Sequence, residues 1–128
     1  LPFSLKGFVV VDELKIRRKC EDMIAYGYGA LRQFPKAERH VLSQEIRQSM
    51  WSLLRLIIIC NRRYHKKTTM QDLDAELDLL RSQIRVAMQL EYLPFRKYEV
   101  WSRQLDEVGR MVGGWFKSTN RGAGKHEA

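Results

Sequence analysis

Apolar positions recur along the chain at steps of three and four and divide it into four segments of helical period. The first runs from about Asp12 to Phe34 and carries Ile16, Cys20, Met23, Gly27, Leu31 and Phe34 on one face, the seam of a helix packed on other helices. Pro35 disfavours helix at Phe34 and suits the first turn of a new one, so the first helix is expected to end there. The second segment, residues 36–61, carries Leu42, Ile46, Ser49, Leu53, Leu56 and Cys60, with Met50, Leu54, Ile57, Ile58 and Ile59 on other faces. That stripe is wider than one bundle core requires. After the polar break 61–68, Thr69 stands three residues before Asp72, a variant capping box that predicts a third helix over 70–91. Its seam is Leu73, Leu77, Leu80, Ile84, Ala87 and Glu91. Pro94 marks the next boundary, and Tyr98, Trp101, Leu105, Val108, Val112 and Trp115 predict a fourth helix over 95–117.

No alternating strand pattern interrupts these segments. Four helices of roughly 20 residues with short connections predict an all-α fold, an antiparallel up-down-up-down four-helix bundle over residues 11–117. The length, 128 residues, suits a single domain. Residues 1–10, which lack an initiator Met, are expected to be flexible or non-native, and 118–128 a flexible basic tail. The surplus apolar face of the second helix, with Leu79, Val86 and Leu90 on the third, exceeds what a monomer leaves in water. Self-association in a symmetric assembly is one expectation, and cover by a different partner is the other.

Charge adds a direction to this scaffold. Lys and Arg total 23 against 15 Asp and Glu, a formal charge of +8, which points to a polyanionic partner. In an up-down-up-down bundle the start of helix one, the second connection and the end of helix four share one end. Eleven cations collect there: Lys15, Arg17, Arg18 and Lys19, then Arg62, Arg63, Lys66 and Lys67, then Lys117, Arg121 and Lys125. Five acids, Asp12, Glu13, Asp72, Asp74 and Glu127, accompany them. The cluster reads either as solvated charge or as a phosphate-binding surface whose affinity falls steeply with salt. Arg81 and Arg85 lie one turn apart on helix three, either as compensation for the helix dipole and nearby acids or as a second binding element.

Other chemistry finds no motif. Cys20 and Cys60 lie in apolar helical patterns without zinc or redox spacing, and read as buried free thiols. His40, His65 and His126 stand apart from any ligand partner. No metal site, cofactor site or catalytic group is expected. Gly109, Gly113 and Gly114 form no phosphate-cradling loop, and suggest close helix approach or an early C-cap. No stretch is long and apolar enough to span a bilayer, so a cytoplasmic location and no membrane partner are expected.

The runs Phe34-Pro35-Lys36-Ala37-Glu38-Arg39, Asn61-Arg62, Tyr98-Glu99 and above all Leu105-Asp106-Glu107-Val108-Gly109-Arg110-Met111-Val112-Gly113-Gly114-Trp115 carry a resemblance. From Val11 to Arg121 the chain resembles the accessory variability determinant (Avd) family of diversity-generating retroelements. Its superfamily also includes four-helix proteins of ribosomal RNA intervening sequences, the alternative reading, which has no reverse transcriptase partner. The resemblance implies a barrel-like homopentamer, itself non-catalytic, that engages the reverse transcriptase and template-repeat RNA or cDNA through a basic surface. It also implies that Arg81 and Arg85 face that surface, and that the glycine-tryptophan ending of helix four serves packing and interface. The acidic opening of helix three, Thr69 to Asp78, departs from the expected positive field.

Overall fold

The computed structural model describes the backbone of residues 3–127 and the side chains of residues 13–118. Four helices account for most of it: α1 (Phe3–Leu31), α2 (Leu42–Arg62), α3 (Lys67–Gln89) and α4 (Phe95–Glu127), with no strand among the described residues. Each helix packs on two others, α1 on α2 and α4, and α3 on α2 and α4, while the diagonal pairs stay apart. This is the four-helix bundle that the periodicity predicts.

The seams lie in one continuous core. Ile16, Cys20, Met23 and Phe34 meet Ile46, Leu53, Ile57 and Cys60, and from the other half Leu73, Leu77, Leu80 and Ile84 meet Trp101, Leu105, Val108 and Trp115. Trp101 is fully buried and its indole N–H donates to Met23 Sδ at 3.4 Å. The surplus stripe of α2 is smaller than expected, because Met50, Leu54 and Ile57 are buried and Leu56 and Ile58 pack partly on the core. Leu79, Val86 and Leu90 do remain exposed on α3.

Helix limits differ from the sequence reading at identifiable contacts. α1 stops at Leu31, three residues early, where the chain tightens into i→i+3 bonds from the Gln33 and Phe34 amides to Ala30 and Leu31. Residues Lys36–Glu38 form a single 3₁₀ turn rather than the start of α2. Glu38 then reaches forward to accept the Leu42 amide at 3.2 Å, so a carboxylate caps the start of α2. α3 begins at Lys67 instead of 70, and Thr69 lies inside it as a buried residue rather than as its cap. Glu91 is not a seam position. It is exposed, with φ of 64°, and ends α3 with the Tyr92 amide bonded to the Ala87 carbonyl and the Glu91 amide to that of Met88, a Schellman arrangement.

The two expected flexible segments carry helical backbone over residues 3–10 and 118–127, as extensions of α1 and α4. Neither stretch contains a proline, so nothing stops helix propagation there. The glycines of α4 divide. A Cβ at Gly109 would lie 2.9 Å from both Arg81 Nη2 and Leu77 Cδ2, whereas Gly113 and Gly114 meet nothing within 4 Å. Close approach explains the first, and no C-cap forms at the other two.

Candidate nucleic-acid interface

The fold brings the middle of α1 around Lys15, the α2–α3 connection and α4 around Trp115 together at one pole of the four-helix core. Lys66 Nζ stands 5.7 Å from the centre of the Trp115 ring, which ties the connection to α4. Lys15, Ile16, Gly114, Trp115 and Ser118 line one shallow cleft, which ties α1 to α4. Of the cations read from the sequence as one cluster, Lys15 and Lys66 meet α4 there, and the described ones divide by what already holds them.

Lys66 is a structural cation. Its ammonium donates to the carbonyl oxygens of Cys60 at 2.6 Å, Asn61 at 3.2 Å and Arg63 at 2.8 Å. The first two belong to the last turn of α2 and the third to its C-cap, the Cys60 oxygen also accepts the Arg63 amide at 3.3 Å, and the charge meets the negative end of the helix dipole. Arg63 is exposed, and one of its guanidinium nitrogens donates to Thr69 Oγ1 at 3.0 Å. That contact helps to explain why Thr69 is buried within α3.

Arg17 pairs with Glu13 at 3.5 Å and Lys19 with Glu107 at 3.3 Å. The Lys19–Glu107 pair is exposed and contributes under about 1 kcal/mol, so an arriving phosphate can displace or share it. Glu13, in contrast, is buried and keeps Arg17 as its partner. Lys15, Arg18, Arg62, Lys67 and Lys117 are exposed and have no ion pair among the described residues. Arg121 belongs to α4, but its side chain lies outside the described residues. The pole thus presents a set of solvated cations around a scaffold of engaged ones.

Arg81 and Arg85 part company as well. Arg81 lies 3.0 Å from Asp78 and 3.4 Å from Asp106, bridging α3 and α4 across Gly109. Its Nε faces Asp106 at ion-pair distance without hydrogen-bond alignment. Arg85 is exposed and has no such partner among the described residues. Arg81 sits just past the middle of α3 and Arg85 about one turn before its end, both away from the pole.

The remaining chemistry is sparse. Among the described residues no group of three or more His, Cys, Asp or Glu side chains could hold a metal ion. Both cysteines are free and buried, and burial pushes the Cys20 thiol up to about 12, with Glu21 adding to the shift. Burial also raises Cys60, against the opposing pull of Lys66 and Arg63. No described helix is long and apolar enough to cross a membrane.

Sequence reasoning missed a second concentration of cations at the opposite end. Arg32, Lys36 and Arg39 from the α1–α2 connection meet Arg47 of α2 there. Its signal was legible in one respect, since Arg47, Trp51 and Arg55 follow at steps of four on one face of α2.

A family model described as bAvd-like matches residues 14–119. No curated protein matches the chain.

Proposed function

Because the chain belongs to the bAvd-like family, we propose that it is a non-catalytic accessory subunit of a diversity-generating retroelement, working in the cytoplasm. In this role it holds the reverse transcriptase and the template RNA or cDNA together while mutagenic cDNA is made. The observation that supports the reading is the group of exposed cations Lys15, Arg18, Arg62, Lys67 and Lys117, which have no ion pair among the described residues. Cations of this kind neutralise phosphates, release counterions and impose little sequence preference. That suits a subunit that supports synthesis and leaves template choice to another component.

Leu79, Val86 and Leu90, each 44% exposed or more on α3, support self-association. In a closed ring of five the poles of all copies would form one wide basic rim. Arg85, exposed on the same helix, is a contact for the polymerase or its RNA. Co-expression with a diversity-generating retroelement reverse transcriptase tests the proposal. A stable complex of the two with RNA, built on an oligomer of this chain, is the expected product. A strict monomer that ignores both the polymerase and RNA would overturn it.

A further inference from the structure

Two clefts adjoin at the α1–α2 corner, at the end of the bundle away from the pole. The first, about 300 Å³, is lined by Arg32, Lys36, Arg39 and Arg47, together with Tyr28 and Phe34. The second, about 590 Å³, runs along α2 past Arg47, Gln48 and Trp51 to Arg55. Tyr28 and Arg47 line both, so the two adjoin along one surface channel, and no carboxylate lines either among the described residues.

The channel is held in shape. Arg47 donates to the Arg39 carbonyl at 2.8 Å and to Gln44 Oε1 at 2.9 Å. The Trp51 indole N–H donates to the Tyr28 hydroxyl at 2.8 Å, and the two rings meet edge to face at 72° with centres 6.4 Å apart. Trp51 is nonetheless 47% exposed, whereas Trp101 is 0% and Trp115 8%. The contact with Tyr28 orients the indole and still leaves about half of it in water beside these cations. Arg47, Trp51 and Arg55 alternate cation, indole and cation over about 12 Å of helix.

We propose that this corner is a binding site for single-stranded nucleic acid. Arg32, Lys36, Arg39 and Arg55 neutralise its phosphates, and Trp51 stacks an unpaired base. A single strand fits because its bases are free to leave their neighbours and lie on an aromatic ring, which duplex bases are not. An acidic peptide would satisfy the cations and leave the indole without a planar partner. The site goes beyond the proposed accessory role in place, since it lies at the α1–α2 corner and not among the pole cations.

Trp51 is the one strongly exposed tryptophan among the three, so fluorescence quenching reports on it directly. The titration uses a chain in which Lys15, Arg18, Arg62, Lys67 and Lys117 are changed to Gln, so that loss of pole binding leaves the result intact. A short oligothymidylate is expected to quench the emission, while an abasic strand of equal length binds on the order of tenfold more weakly without quenching. In the same background, Trp51→Ala should weaken binding of a labelled oligothymidylate by roughly 5- to 100-fold, with helicity unchanged. Arg32→Gln with Lys36→Gln should weaken both strands. Equal binding of abasic and base-bearing strands, equal quenching by polyglutamate, or full affinity in Trp51→Ala would each overturn the proposal.

Discussion

Lys66 Nζ lies 2.6 Å from the carbonyl oxygen of Cys60, closing the end of α2 with a cation that stands next in sequence to the exposed Lys67. Neighbours of equal charge thus serve different ends. Lys66→Ala should lower stability by about 1–2 kcal/mol, because three terminal carbonyls lose a charged donor. Lys67→Ala should leave stability unchanged and weaken RNA binding. Thermal melts paired with RNA titrations check both, and equal melting temperatures for the two variants would remove the distinction.

Glu91 holds a φ of 64° at the end of α3, a conformation that costs a side-chain-bearing residue about 1 kcal/mol and glycine almost nothing. Glu91→Gly should therefore stabilise the fold by roughly 0.5–1 kcal/mol. An upward shift of the urea midpoint at constant slope is the expected reading.

Much of the bundle was legible because a core seam is a local pattern. Leu73, Leu77, Leu80 and Ile84, and Trp101, Leu105, Val108 and Val112, repeat at helical steps whatever lies opposite them, and all are buried. Partners across helices were not legible. Lys19 meets Glu107, and Arg81 meets Asp106, only once the register of one helix against another is set. The same holds for Lys66, whose partners are main-chain carbonyls and carry no mark in the side-chain sequence. Glu91 fell on the spacing of the α3 seam, yet the turn into Tyr92 takes it out of the helix. The corner channel is not legible in the sequence, because Arg32 and Arg47 are distant along the chain and Trp51 stands among the apolar residues of α2.

A Cβ at Gly27 would stand 2.7 Å from Trp101 Cζ2, deep in the core, whereas one at Gly113 meets open space. The rigid indole cannot yield as a chain end does. Gly27→Ala should destabilise by about 1–3 kcal/mol through overpacking, and Gly113→Ala should stabilise by up to about 1 kcal/mol through helix propensity. Opposite shifts of the melting temperature are the check.

The thiol of Cys20, raised by burial from 9.0 to about 12, stays protonated in the folded chain while the unfolded chain ionises at lower pH. The stability it contributes is complete below pH 9 and is lost as pH rises from 9 towards 12. Urea midpoints should fall over that range by more in the wild type than in Cys20→Ala. Iodoacetamide at neutral pH should label Cys20 only after unfolding.

Salt dependence of RNA binding tests most directly the claim that the pole cations hold the phosphates. With single-stranded RNA, the log–log slope of affinity against salt should be shallower by about 3 to 4 when Lys15, Arg18, Arg62, Lys67 and Lys117 are all changed to Gln. An identical slope for the two proteins would contradict the account.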